Sequence, residues 1–472
     1  MRLGALTGGG EDTAVTGFAI DHRKVAPGTV FGAFAGARVN GEDFILDAVR
    51  AGAVAVVARP GARVEGAALI ADEAPRARFA ALAAKFFAPF PPHCVAVTGT
   101  NGKTSTVEMT RQLWRMAGDH AASVGTLGVT TPDESVHTGL TTPDVVTFLS
   151  NAAGLAREGV THLAFEASSH GLHQYRTEGL PVAAAAFTNL SRDHLDYHGD
   201  MAAYLTAKLR LFSEVLSPRG TAVVWADDPH AAQVVDLARE RGNRVLTVGE
   251  RGGCLRLLGR EPSLLGQALT VEIAGRVHGV TLPLIGAYQA ANALVAAGLV
   301  SATGGDPAAT LADLARLQPV RGRLERAAIT AAGAPVYVDY AHTPDALEAA
   351  AAALKPHAAG RLILVFGAGG DRDPGKREAM GAVAARAADV VIVTDDNPRS
   401  ENPAAIRADI LQGAPDAAEV GDRREAIAAA VAQARPDDIV LVAGKGHEQG
   451  QVVGDLVLPF DDVTVAREVA GS

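Results

Sequence analysis

Short apolar runs that end in polar, glycine-bearing loops recur along this chain and alternate with stretches of helical pattern. Residues 30–34 and 54–58 read as strands on either side of a helical segment at 44–51. Apolar runs follow at 94–97, 163–165, 183–187 and 222–225, and a helical pattern covers 104–116. Beyond Arg321-Gly322-Arg323 the alternation restarts at 336–339, 362–366, 390–394 and 439–442, with alanine-rich helical segments between. Strands alternating with helices predict an α/β chain whose sheets are mainly parallel and covered by helices. In open sheets of this kind ligands bind at the carboxyl ends of the strands, so chemistry is expected in the loops there. Pro89, Pro91 and Pro92 exclude a continuing helix and mark a domain boundary. The most apolar stretch, 282–302, is interrupted by Tyr288, Gln289 and Asn292, which predicts a buried helix rather than a membrane span.

At 472 residues the chain exceeds one compact core, and two or three domains are expected. A composition of 48% hydrophobic and 20% charged residues is that of a globular enzyme. The net charge of -10 disfavours nucleic acid or an anionic membrane as a general partner. An acidic protein that holds phosphates must use aimed backbone amides, metal ions and a few placed cations. Two distant cysteines, Cys94 and Cys254, fit a reducing compartment, and the amino terminus has no apolar core of the signal-peptide kind. A cytoplasmic location is the expectation.

The strongest local signal is Thr98-Gly99-Thr100-Asn101-Gly102-Lys103-Thr104, between a strand and a helix. Glycines let backbone N–H groups approach a phosphate, and the helix N-terminus adds positive potential. Lys103 would reach terminal phosphate oxygens, and the Thr104 hydroxyl would coordinate Mg²⁺. Val97 stands where the common P-loop pattern has its first glycine, so an ordinary glycine turn is the competing reading.

Two further constellations follow predicted strands: Glu166-Ala167-Ser168-Ser169-His170-Gly171, and residues 189–199 with His194 and Asp196. Carboxylate and imidazole at strand ends suit Mg²⁺ ligation and neutralisation of phosphoryl charge; either loop alone could be polar structure. Lys208 lies on a helical segment, where a solvated surface lysine is the alternative. The last third adds charged loops at 339–345, 367–373, 395–399 and 444–448. Each could be a turn, but four after successive strands predict a substrate-facing rim.

Taken together, residues 98–104, 166–171, 189–199, Lys208, Asn292, 321–325, 339–344 and 444–448 resemble the Mur ligase family of bacterial cell-wall synthesis over nearly the whole chain. The resemblance implies three domains: one for the UDP group at 1–88, a central P-loop ATPase at 89–325, and a Rossmann-like domain receiving the amino acid at 326–472. It implies ATP and Mg²⁺ as cofactors, small-molecule substrates, no nucleic-acid or membrane partner, and a monomer. It also implies that a carboxylate attacks the ATP γ-phosphate and that an amine then takes the acyl phosphate.

Carried over by position, Gly99, Thr100, Asn101, Gly102, Lys103, Thr104 and Ser105 resemble the ATP loop. Asn292, Arg323 and Asp339 resemble further ATP contacts. Thr104 and Glu166 resemble a first Mg²⁺ site; His194 and a carbamylated Lys208 resemble a second. Ile20, His22, Ala37, Arg38, Val39, Thr141, Thr142, Ser168, Gln174 and Arg176 match positions for UDP-MurNAc-dipeptide. His22 departs from the serine common there. Arg372, Asp396, Asn397, Pro398, Arg399, Gly444 and Glu448 resemble the amino-acid pocket of members that add meso-diaminopimelate. The physics agrees, since a guanidinium at Arg399 can clamp the extra carboxylate of that amino acid, which L-lysine lacks. L-Lysine or L-ornithine addition, another Mur ligase and a folylpolyglutamate-type ligase are the alternatives.

Overall fold

The computed structural model describes residues 1–10, 12–36, 39–131, 134–136 and 140–471, the side chain of Asp196 excepted. The chain forms two compact units, Met1–Cys254 with Val295–Pro307, and Leu255–Leu294 with the residues from Ala308 onward. The α/β class and parallel-rich sheets expected from the sequence are present in both.

The first unit opens with a parallel four-stranded sheet, Gly17–Ala19, Thr29–Gly32, Ala53–Ala58 and Ala68–Ala71, in that order. The helix Pro75–Phe87, with proline in its first turn where no amide partner is needed, packs Phe79 edge-on against Phe18 and Phe34. The larger sheet then places His93–Thr98 between His162–Glu166 and Val182–Phe187, all parallel. Leu216–Trp225 and Arg244–Gly249 extend it on one side and Ala121–Gly125 on the other. Three inner strands therefore deliver the loops after Thr98, Glu166 and Phe187 to one edge. Their central helix, Lys103–Met116, buries residues 104–111 almost without a break, and Trp114 Nε1 donates to Thr303 Oγ1 at 3.1 Å.

In the second unit, Leu255–Ser263, Gly266–Ile273 and Arg276–Leu282 form an antiparallel meander that the apolar pattern does not announce. A six-stranded sheet follows in the order Glu325–Ile329, Pro335–Asp339, Ile439–Ala443, Leu362–Phe366, Val390–Val393, Ala418–Glu419; only the first pairing is antiparallel. Four adjacent parallel strands thus place their following loops side by side, as the expected rim requires. A buried ion pair, Arg423 with Asp462 at 2.7 Å, sits under this rim, and Arg423 Nη2 also donates to Ala443 O at 3.0 Å. His357 joins meander and sheet by accepting from Gly286 N–H at 3.1 Å through Nε2 and bonding Ser263 O at 2.6 Å through Nδ1, which makes it a neutral imidazole with Nδ1 protonated. Among the described residues no helix is long and apolar enough to cross a membrane.

Candidate active site

The loop after His93–Thr98 depends on its glycines. Gly99 has φ +151°, and a Cβ there would collide with Thr188 Oγ1; Gly102 has φ +83° at the helix start. The segment after Val182–Phe187 braces the loop. Thr100 N–H donates to Asn189 O at 2.9 Å, Asn101 N–H to Asn189 Oδ1 at 2.9 Å, and Thr188 Oγ1 to Asn101 O at 2.6 Å. Thr100 Oγ1 lies 3.2 Å from Tyr204 OH and accepts from Ser191 N–H at 3.0 Å. Lys103 Nζ folds back on the loop, donating to Gly99 O at 3.0 Å and Thr100 O at 2.7 Å. Thr104 and Ser105 are buried behind it.

Lys208 is not a surface lysine. Its side chain is 1% exposed, its Nζ donates to Gly99 O at 2.7 Å, and it lies 4.3 Å above the Tyr204 ring. Burial, reinforced by the charge of Lys103, pushes its pKa well below the usual lysine value, and Asp193 opposes this only in part. His194 takes a left-handed backbone, φ +53°, and its ring centre stands 6.0 Å from Tyr204 and 4.9 Å from His170. His170, His173, His194, His198, Tyr197 and Tyr204 form one aromatic cluster. Burial first, then the neighbouring imidazoles and Lys208, hold His198 down at about 4.

Glu166 closes the adjacent strand, and one oxygen accepts from Thr126 N–H at 2.7 Å and the other from Thr126 Oγ1 at 3.3 Å. Thr126 Oγ1 also bonds Thr141 Oγ1 at 3.0 Å. Thr142 Oγ1 donates to Glu166 O at 2.8 Å and accepts from Ser168 N–H at 3.1 Å. Arg176 reaches Thr142 O at 2.8 Å and Gln174 Oε1 at 2.7 Å, and Gln174 bonds Tyr197 OH at 3.0 Å. Thr141, Thr142, Ser168, Gln174 and Arg176, scattered over 36 positions of sequence, are thereby one network around Glu166.

The remaining substrate positions lie in the small sheet. Ile20 and Val39 are exposed, and His22 stacks on Phe44 with ring centres 4.4 Å apart. Ala37 and Arg38 lie outside the described residues. Sequence reasoning missed Thr126, Tyr204 and Arg76. The Arg76 guanidinium lies 4.9 Å over Phe34 and donates to Ala35 O at 2.9 Å.

In the second unit, Asn292 Nδ2 donates to Gln289 Oε1 at 3.2 Å, and Gln289 to Arg323 O at 2.9 Å. Arg323 lies 4.9 Å over Tyr340. Both Asp339 oxygens accept backbone amides, from Leu324 at 2.7 Å and Ala341 at 2.9 Å; burial raises its pKa, and Arg323 opposes that rise. The rim residues divide into those committed to internal contacts and those not. Asp396 is buried and ion-paired with Lys445 at 3.1 Å; Pro398 is buried. A Cβ on Gly444, φ +121°, would collide with Asp396 Oδ2. Asn397, φ +43°, donates from Nδ2 to Glu448 Oε2 at 2.8 Å and accepts at Oδ1 from Lys445 Nζ and Val452 N–H, each at 2.9 Å. Among the described residues, the Arg399 side chain donates only to carbonyls, Gly370 O at 2.7 Å and Asn397 O at 3.4 Å. Gly369 lies between Arg399 and the exposed Arg372. Among the described residues, Arg399, Arg372 and Glu448 have no oppositely charged partner within ion-pair distance.

This arrangement defines a P-loop ATPase joined to a Rossmann-like sheet with a polar rim, and the chain belongs to the Mur ligase family. Its residues 97–300 match the Mur ligase middle domain, and 322–446 match the Mur ligase glutamate ligase domain. It is 60% identical over 462 residues to the UDP-N-acetylmuramoyl-L-alanyl-D-glutamate–2,6-diaminopimelate ligase of Zymomonas mobilis, covering 97% of this chain and 95% of that one. The protein of that name from Bradyrhizobium diazoefficiens is 52% identical, covering 95% and 93%. A solved structure of a ligase of the same name aligns with TM-score 0.77 at 33% identity, covering 100% of this chain and 99% of its own.

Proposed function

We propose that the chain joins meso-diaminopimelate to UDP-N-acetylmuramoyl-L-alanyl-D-glutamate, using ATP, in peptidoglycan precursor synthesis. The observation that carries this reading is the charge balance of the rim. Asp396 is matched by Lys445 and Asp462 by Arg423, whereas Arg399, Arg372 and Glu448 form no ion pair among the described residues and offer a ligand two guanidiniums and a carboxylate. An amino-acid terminus offers the complementary set, an ammonium and a carboxylate. L-Lysine has no carboxylate at its second end and would leave Arg399 desolvated and unmatched, at about 1–3 kcal/mol or more.

The terminal D-Glu carboxylate attacks the γ-phosphorus, ADP leaves, and the acyl phosphate forms; the amine attacks the acyl carbon and inorganic phosphate leaves. Gly99 to Ser105 would hold the phosphates, with Lys103 Nζ exchanging its loop carbonyls for phosphate oxygens. Arg176, Gln174, Thr141, Thr142 and Ser168 would orient the dipeptide end, with Ile20, His22 and the 37–39 loop at the UDP end. Asn292, Arg323 and Asp339 would form the rest of the ATP site.

The donor set fits Mg²⁺: a buried threonine hydroxyl at Thr104 and the Glu166 carboxylate are hard oxygen ligands. Lys208 as a cation would not fit beside a metal. As a neutral amine it can take up CO₂, lose a proton and become an anionic carbamate that, with His194, suits a second ion. Bound Mg²⁺ would screen the approach of a carboxylate to a polyphosphate, which repel strongly in a dry site. Lys208→Ala should be inactive and partly regain turnover with added short carboxylates, measured as phosphate release; no rescue, in a folded variant, would count against the carbamate. We place the protein in the cytoplasm as a monomer, with domain limits near residues 88 and 325. The reaction itself is tested by omission. Phosphate release should require nucleotide dipeptide and amine together, whereas stoichiometric product phosphorylation without amine would make the protein a kinase.

A further inference from the structure

Lys445 lies in the 444–448 loop of the rim without a role of its own so far, yet it is among the most completely buried side chains of the second unit, 0% exposed. Burial alone would favour its neutral form, and Asp396 at 3.1 Å opposes that. A structural counter-ion would need no more than that pair. Lys445 Nζ does more: it donates to Asn397 Oδ1 at 2.9 Å and to Gly450 O at 2.8 Å.

The consequence lies in the Asn397 amide. An asparagine side chain can turn over and exchange its oxygen and nitrogen. Here the oxygen faces two donors, Lys445 Nζ and Val452 N–H, so the nitrogen must face Glu448. That nitrogen holds Glu448 Oε2 at 2.8 Å, and Oε1 has no bond among the described residues. The same segment carries the clamp. Arg399 N–H donates to Val452 O at 3.0 Å, and Gly454 N–H to Arg399 O at 2.7 Å, so the strand Gly450–Val453 orients both Asn397 and Arg399. Lys445 ties the first residue of that strand to Asn397.

We infer that Lys445 is a positioning residue for the incoming amino acid: through Asn397 and Gly450 it sets the Glu448 carboxylate that receives the ammonium and the strand that aims Arg399. Lys445 itself touches no substrate. The inference rests on the reading of this rim as the amino-acid pocket.

The test is steady-state kinetics of Lys445→Met with each substrate varied in turn. KM for meso-diaminopimelate should rise about tenfold or more, because a pocket loses its alignment. KM for ATP and for the nucleotide dipeptide should stay within about twofold, since a positioning defect is local. A merely structural role would lower the active fraction and kcat while leaving all three KM values alone, and that outcome would overturn the inference. Because Lys445→Met strands Asp396, the double variant Lys445→Met/Asp396→Asn removes the stranded charge, and the same KM split is expected in it. Lys445→Met should raise that KM far less in an Asn397→Leu background than in the wild type, because Lys445 acts through Asn397; additive effects would contradict the proposal. Glu448→Gln separates the two levels of argument. If it raises the amino-acid KM while the Lys445 variants do not, only the positioning role fails; if neither does, the pocket reading fails.

Discussion

Lys103→Ala should lose ligation by about a thousandfold or more while remaining folded, the scale on which removing a charge aimed at a transferring phosphoryl group is felt. Lys103 Nζ donates to the carbonyls of Gly99 and Thr100, both on the loop it serves. The loop's shape does not depend on it. Gly99 and Gly102 provide the backbone conformations, and Thr188, Asn189, Ser191 and Tyr204 provide the bracing. The loss should therefore fall on kcat/KM for ATP-dependent turnover, with the melting temperature almost unchanged. Near-normal turnover in the folded variant would remove the loop from the mechanism.

Arg399→Ala should lose meso-diaminopimelate activity about a hundredfold. Two charge-assisted hydrogen bonds at about 1.5 kcal/mol each give about 3 kcal/mol, and each 1.4 kcal/mol is tenfold. The loss should appear chiefly in KM for the amino acid, with ATP kinetics close to wild type. L-Lysine should gain slightly because the unmatched cation is gone, but no efficient new activity is expected without an added acidic partner. The variant keeps the backbone bonds of residue 399 to Val452 and Gly454, so its fold should survive.

The parts legible in the sequence are those where one residue type has one physical reason. Glycines between a strand and a helix, with Gly-Lys-Thr following, announced the phosphate loop. Successive apolar runs ending in charged loops announced the second rim, and the sheet order sets those loops side by side. Lys208 was readable and was left open: Tyr204, Ala207 and Lys208 fall at i, i+3 and i+4 and are the buried face of Met201–Arg210. The meander at 255–282 was not legible because its turns lack the usual signature. One turn is Ala274-Gly275, with φ +50° and +78°, so alanine stands where asparagine or aspartate would have signalled a hairpin. Thr126 and Lys445 carry no local cue, since their roles come from contacts across about 40 and 48 positions. Within the Asp-Asn-Pro-Arg stretch the sequence could not separate Asp396, matched internally by Lys445, from Arg399, which faces no carboxylate at ion-pair distance among the described residues.

Wild-type kcat/KM for meso-diaminopimelate and L-lysine, measured side by side with saturating ATP and nucleotide dipeptide, decides which amine the enzyme adds. A site built around a polar group rejects analogues that lack it by up to about 10⁴–10⁵, because its own groups go unmatched. Meso-diaminopimelate should be used efficiently, with discrimination against L-lysine of several orders of magnitude. Equal use of the two amino acids would contradict this assignment of the amine.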